Sequence, residues 1–201
     1  KCNAIIHTSS NKLVAGCTST HIPADVETVG QYAFLEIENL KGIEFPEGLK
    51  TIEYLSFCKS GLSGNVAFPS TVETIDDCAF LDNKELASVT FPEKLEYLGW
   101  ASFFECNGLE KCVFFGSTPP ENGEFLNEIY VPHIIKIPVG SLSAYKNSLY
   151  MDYYFSNPSY YEDISTTSVL PNKEDENVES VYYYLFGRRV ENPQSGLYIK
   201  D

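Results

Sequence analysis

The chain has 201 residues, is 43% hydrophobic and 14% aromatic, and sets 14 Lys and Arg against 28 Asp and Glu, for a net charge of −14. With a pI near 4.6 and no basic cluster, it lacks the electrostatic footprint of a nucleic-acid or anionic-membrane binder. Its longest apolar stretch, Ile129 to Val139, is broken by Pro132, His133, Lys136 and Pro138, so no membrane span is expected, while length and hydrophobic content suffice for a full core in one or two domains.

The opening at Lys1, without Met or a charged-then-apolar leader, reads as a mature or excised fragment. A period then governs the chain. Pro23, Pro46, Pro69 and Pro92 stand 23 residues apart, and other slots repeat with them. Three residues on come Val26, Leu49, Val72 and Leu95; six on, Val29, Ile52, Ile75 and Leu98; eleven on, Phe34, Phe57, Phe80 and Phe103. Near the end of each unit lie Leu40, Leu62 (one place early), Leu86 and Leu109. Each unit closes on Ile43/Phe45, Val66/Phe68, Val89/Phe91 or Cys112/Phe114, so eight of the 13 Phe fill two slots and the pattern is structural.

The closing tripeptides alternate with period two and read as short strands stacking in parallel, about 4.8 Å apart, into one continuous sheet. The following proline has no N–H and fixes φ, which ends the strand and turns the chain. Ala33, Ser56, Ala79 and Ser102, just before the Phe slot, suit a short helical turn packed close to the core. Cys17 and Ile22 fill the Leu and Phe slots of a preceding coil. Residues 115–137 read as a degenerate fifth coil, with Phe115 where Pro is due, Ile135 and Ile137 in strand slots, and Pro138 back in phase.

Beyond the array, Ser141 looks like the N-cap of a helix presenting Leu142, Tyr145 and Leu149 on one face. Nine of the 14 Tyr lie in residues 150–201, opening with Tyr150, Tyr153, Tyr154, Tyr160 and Tyr161. That cluster suits amphipathic cover for the last coil, with a carbohydrate-stacking platform as the alternative. Pro171 to Glu179 is acidic and core-poor, a linker by composition. Val181 to Phe186, Gly187 to Val190 and Gly196 to Ile199 read as strand, turn and strand. The division expected is a solenoid over 1–165 with a degenerate C-terminal cap over 115–165, an acidic linker at 166–180 and a β-hairpin motif at 181–201.

The unit I-P-x-x-V-x-x-V/I-G-x-x-A-F…L-x-x-I/V-x-F-P, at Ile22–Pro46 and on through Pro92, resembles the BspA-like leucine-rich repeats. Cys2–Ile6 with Asn11–Cys17, and Ile137–Lys146, are similar to segments flanking such repeats in proteins of host-associated Gram-negative anaerobes. Leu185–Val190 with Gly196–Ile199 resembles a short C-terminal motif of secreted proteins in the same bacteria. The second unit departs from the pattern at Glu53 and Ser56, and the tail stops without the basic strand that commonly follows. The resemblance implies an α/β fold, a right-handed leucine-rich-repeat solenoid with a parallel sheet of short strands and little regular helix. It also implies an extracellular or cell-surface protein used in adhesion or recognition.

Chemistry is sparse. The six Cys match neither CxxC nor a zinc pattern, which leaves buried free thiols or one or two bridges. His7, His21 and His133 are isolated. Asp76-Asp77 occupies turn slots held by Gly30 and Gly99 elsewhere, favouring a turn over a general acid/base pair. No phosphate-cradling Gly loop or G-x-S-x-G occurs, and Asn172–Asn177 fails the calcium-loop template. No catalytic, metal or cofactor site is expected; an enzyme would need a carboxylate-lined pocket within 115–165.

What remains is a surface. Glu44, Ala67, Thr90 and Val113 alternate with the core pairs and point outward, flanked by Gly42, Asn65, Ser88 and Lys111. We take Glu44, Asn65, Thr90, Lys111 and Val113 as candidate ligand contacts on an extended platform, against the reading that they are only a solvated face. The function expected is non-catalytic recognition of a host or microbial surface protein or glycan, with a structural spacer in a longer surface protein as the alternative.

Overall fold

The computed structural model describes residues 3–40, 42–121, 124–126, 132, 134–149, 151–156, 158, 161–164, 182–184, 189–190 and 198–200. Two compact units divide the chain, Lys1–Asp163 and Ile164–Asp201. The strands of the first, in chain order, are β1 (Ile5–His7), β2 (Lys12–Ala15), β3 (Thr28–Val29), β4 (Thr51–Ile52), β5 (Ser63–Ala67), β6 (Thr74–Ile75), β7 (Glu85–Phe91), β8 (Tyr97–Leu98), β9 (Lys111–Phe114), β10 (Ile134–Pro138) and β11 (Tyr161–Ile164). Helix is confined to α1 (Leu142–Lys146), α2 (Asp152–Ser156) and one 3-10 turn at Thr8–Ser10.

The unit is a solenoid of about five turns with 23-residue spacing and almost no helix. Four coils start at a proline. Val26, Leu49, Val72 and Leu95 donate their N–H to the carbonyls of Pro23, Pro46, Pro69 and Pro92, at 3.1–3.3 Å, closing one turn in each of these four coils. That turn delivers the chain into a first sheet, ordered β1-β2-β3-β4-β6-β8. From β3 to β8 its strands are two residues long and parallel, with Val29, Ile52, Ile75 and Leu98 in register and fully buried. β1 and β2 form an antiparallel hairpin that pairs with β3 and covers the first coil.

After the first sheet each coil makes a tight bend where helical turns were expected. The bend contains two non-glycine residues with positive φ at fixed slots: Tyr32, Leu55, Cys78 and Ala101, then Glu36, Lys59, Asp82 and Glu105, with φ between 51° and 60°. Left-handed backbone costs a non-glycine residue roughly 1–2 kcal/mol, so something must hold it there. Alternate N–H groups of the bend reach the next coil: Phe34 donates to the Ser56 carbonyl, Phe57 to Ala79, Phe80 to Ser102 and Phe103 to Phe125, all at 2.7–2.9 Å. The bends therefore stack as a third hydrogen-bonded layer.

The chain returns through a second sheet, ordered β11-β10-β9-β7-β5, parallel from β5 to β10. Val66, Val89, Cys112 and Ile135 align on its buried face. Two points differ from the single continuous sheet expected. There are two separate sheets, and Ile43-Glu44-Phe45, expected as a strand, joins neither. Gly42 and Gly64, at φ +66° and +74°, break the pleat just ahead of the tripeptide and of its neighbour. The same place absorbs the early Leu62: pairing jumps from Gly64↔Leu86 to Asn65↔Ser88, a bulge that restores the register.

Between the sheets lie two columns of Phe. Phe34, Phe57, Phe80 and Phe103 stack nearly parallel at 4.8–5.0 Å between ring centres. Phe45, Phe68, Phe91 and Phe114 stack beside them at 4.5–5.9 Å and meet the first column edge to face. Such offset and T-shaped pairs add about 0.5–1.5 kcal/mol each beyond the area buried. Phe125 takes the next place in the first column, touching Phe103 at 6.3 Å.

A buried side chain ties the coils together. Asn83 Oδ1 accepts from the Leu62 N–H (2.9 Å) and the Ser60 hydroxyl (3.0 Å), and its Nδ2 donates to the carbonyls of Phe57 and Phe80 (2.8 Å each). An asparagine amide has two acceptor sites and two donors, so every one is used. Ser56 and Ser102, in the small slot, are fully buried with hydroxyls that meet no partner among the described residues. Ala33 and Ala79 fill the same slot in other coils.

At the far end, Tyr145, Met151, Tyr154 and Phe155 are buried against the last coil. Tyr145 donates its hydroxyl to the Gly116 carbonyl at 2.9 Å. Ser141 does not cap α1 with its side chain; its hydroxyl donates to the Pro138 carbonyl at 2.6 Å. Leu149 is 78% exposed, outside the five-residue helix and not on its buried face. Of the tyrosine cluster, Tyr154 and Tyr161 join the core cover, and Tyr150 and Tyr160 lie outside the described residues.

In the second unit, β12 (Tyr182–Tyr184) pairs antiparallel with both β13 (Arg189–Val190) and β14 (Tyr198–Lys200). The segment expected as the turn of a hairpin thus supplies an edge strand, making three. The acidic 171–179 segment lies outside the described residues.

Candidate recognition surface

The second sheet turns its non-core side chains outward in two rows. One runs Asn65, Ser88, Lys111 and Ile134, and the other Ala67, Thr90, Val113 and Lys136. Of the five candidate contacts, Asn65, Thr90, Lys111 and Val113 are brought together here. Glu44 is not: it is exposed but sits off the sheet, beside the left-handed Gly42.

The platform is polar and locally cross-linked. The Ser88 hydroxyl donates to Asn65 Oδ1 at 2.7 Å, and Lys136 Nζ lies 3.2 Å from Glu162 Oε2 on β11. Ile134, Lys136 and Glu162 extend the face by two strands beyond the candidates. For Ile134 and Lys136, alternation with Ile135 and Ile137 was the available signal. Cys112, on the core side beneath this face, has its thiol pKa pushed up by burial, and burial raises that of Cys106 to about 12. Cys58 and Cys78 are buried thiols raised by the same cause. Cys17, half-buried, is instead lowered by its hydrogen bond with Ser19.

The opposite side carries a shallow, open depression of about 760 Å³ beside the first sheet, lined by Glu73, Glu93, Lys94, Glu96, Tyr97 and Glu121 among others. No His, Cys or Ser lines it. The pair Asp76-Asp77 serves turns: Asp76 Oδ1 accepts the Asp77 N–H (2.8 Å), and Asp77 Oδ1 accepts the Trp100 N–H (2.7 Å) and the Tyr97 hydroxyl (3.1 Å). Gly99 lies against that turn so closely that a Cβ there would stand 2.3 Å from the Asp77 nitrogen. His7 and His21 are exposed, and His133 lies outside the described residues. Among the described residues no group of three or more His, Cys, Asp or Glu could hold a metal, and no helix is long and apolar enough to cross a membrane.

Coils closed by proline turns, two parallel ladders and a stacked Phe core define a leucine-rich-repeat solenoid. Residues 7–123 match the BspA type leucine-rich repeat region in six copies, and the chain belongs to that family. Such repeat proteins are typically non-catalytic. Among solved structures, the pneumococcal vaccine antigen PcpA is similar over 80% of this chain and 45% of its own, at 18% identity and a TM-score of 0.59. A leucine-rich repeat protein from Eubacterium ventriosum matches 70% of this chain and 33% of its own, at 19% identity and a TM-score of 0.42. One from Bacteroides ovatus matches 62% and 37%, at 20% identity and a TM-score of 0.36. This chain thus spans less than half the length of each. No curated protein matches it.

Proposed function

We propose that this protein is a non-catalytic recognition module, extracellular or on a cell surface, that binds a protein or glycan through the outer face of the second sheet. The observation that carries it is the pair of in-register rows from Asn65 to Ile134 and from Ala67 to Lys136. They form a solvent-facing platform whose backbone is fixed on both sides, by the strand ladder and by the Phe columns beneath. Small and polar groups there leave room for a partner to lie flat, and a stacked array offers it an extended surface. Family membership supports the reading, since such repeats are often found in surface proteins.

The test is a binding screen of the folded chain against immobilised matrix proteins and a glycan array, followed by Thr90→Arg and Lys111→Glu. Loss of the captured ligand by about tenfold or more in both variants is expected, as for central contacts of an interface. Uniformly negative screens with the full-length polypeptide would instead favour the spacer.

A further inference from the structure

Three exposed aromatic rings gather at one corner of the solenoid, where the chain leaves the first sheet for the bend. They are Tyr32, Tyr54 and Trp100, 50%, 36% and 52% exposed. Tyr54 and Trp100 occupy the same slot two coils apart, and Tyr32 stands one place later in the first coil, its ring 5.9 Å from Tyr54 and edge-on to it. The intervening coil carries Asp77 in that slot, and its carboxylate fixes both the Trp100 backbone and the Tyr97 hydroxyl. The tyrosine cluster near 150–161 supplies Tyr154 to the core.

These rings have a use for water or ligand at their edges. No described residue bonds the hydroxyls of Tyr32 and Tyr54 or the Trp100 indole N–H. A ring whose face is electron-rich and whose edge carries an unmet donor complements a pyranose, which offers polarised C–H groups on its face and hydroxyls around its rim. The spacing fits as well. The 5.0 Å steps of the Phe57–Phe80–Phe103 stack put Tyr54 and Trp100 about 10 Å apart along the axis, the length of a disaccharide in an extended β-linked chain whose alternate sugars present the same face.

Charge narrows the ligand. Glu53, Asp76 and Asp77 stand beside the rings on a chain of net charge −14, which disfavours sulfated or sialylated glycans. A cationic peptide is the weaker fit, because Glu53 is already paired with Lys12 at 2.7 Å and Asp77 Oδ1 already accepts two hydrogen bonds. Furthermore, Tyr54 and Trp100 occupy slots two coils apart, too far to close into a cage around one cation.

We propose that Tyr32, Tyr54 and Trp100 form a binding strip for an extended neutral oligosaccharide. It rests on the reading of the chain as a recognition module but uses a different surface from the second-sheet face.

Trp100 is the chain's single tryptophan, so its fluorescence reports on the strip directly. The probes are cellohexaose, chitohexaose, xylohexaose and mannohexaose, with heparin oligosaccharide and a Lys-rich peptide as charged comparators. A saturable change in Trp100 emission with a neutral hexaose is expected. Trp100→Ala and Tyr54→Ala, read by calorimetry, should each weaken that binding about tenfold or more, while Thr90→Arg and Lys111→Glu leave it within twofold. Far-UV circular dichroism checks that each variant is folded. No response to any neutral probe, stronger binding of heparin or the Lys-rich peptide, or binding unchanged in both aromatic variants would overturn the strip. Loss through Thr90→Arg and Lys111→Glu alone would move the glycan to the sheet face, leaving the general reading intact and this one refuted.

Discussion

Replacing Asn83 tests the idea that one buried amide staples two coils. In Asn83→Ala the Leu62 N–H and the Ser60 hydroxyl lose their acceptor in a buried setting, whereas the Phe57 carbonyl keeps the Ser60 N–H and the Phe80 carbonyl keeps the Cys106 thiol. Two orphaned donors at about 1–3 kcal/mol each give an expected loss of about 2–6 kcal/mol in urea unfolding followed by circular dichroism. Ser60→Ala alone should cost about 1 kcal/mol, but added to Asn83→Ala it should cost nothing or recover stability, because it removes one orphan. Asn83→Asp adds a pH signature. Burial and two facing carbonyls raise the folded pKa of that carboxyl above its unfolded value of about 3.9. Below that value both states are protonated; as pH rises, the unfolded chain ionises first. The variant's deficit relative to the native chain must therefore grow from about pH 4 upward. A loss under about 1 kcal/mol for Asn83→Ala, additive double mutants, or a deficit flat with pH would refute the staple.

Two further outcomes follow from the interior. Ser56→Ala and Ser102→Ala should be neutral or stabilising by up to about 1 kcal/mol in the same assay, since each removes a buried hydroxyl with no partner among the described residues and installs the residue native at 33 and 79. With a thiol reagent at neutral pH, Cys17 should react ahead of Cys58 and Cys78, and Cys106 and Cys112 only at the rate of unfolding, because burial raises the pKa values of the last two and shields both sulfurs. Fast labelling of Cys112 in the folded chain would contradict its place beneath the second sheet.

The repeat was legible because proline and phenylalanine act at fixed points of the four regular coils, and both kinds of residue leave a period that a sequence displays. Val66–Phe68, Val89–Phe91 and Cys112–Phe114 followed from alternation, which is the physical signature of a strand with one buried face. The first sheet escaped that test because two-residue strands are too short to alternate; only the slot residues Val29, Ile52, Ile75 and Leu98 marked it. Ile43–Phe45 misled because its alternation is sound, yet it joins neither sheet and follows directly on the left-handed Gly42. Nor did the bends announce themselves: their left-handed positions hold Tyr, Leu, Cys and Ala, then Glu, Lys, Asp and Glu, and of these only Asp82 carries a turn signal. Four of the five candidate contacts lie on one face for the same reason the strands were readable, and Glu44 fell away with its strand. The aromatic corner stayed hidden because Gln31, Tyr54, Asp77 and Trp100 share a slot without sharing chemistry.

The paired left-handed residues of each bend set the size of the step by which such a protein can change length. A coil alone would hold two unfavourable backbone conformations, and the hydrogen bonds that offset them arrive from the coil above. Inserting or deleting a few residues within a coil shifts those positions off their partners and leaves the strain uncompensated. Removing all 23 residues brings the next coil's carbonyls to the same donors. Growth and shrinkage are therefore neutral only in whole coils. Each terminus needs a dedicated cover, which the β1–β2 hairpin provides at one end and the Tyr145–Phe155 segment at the other.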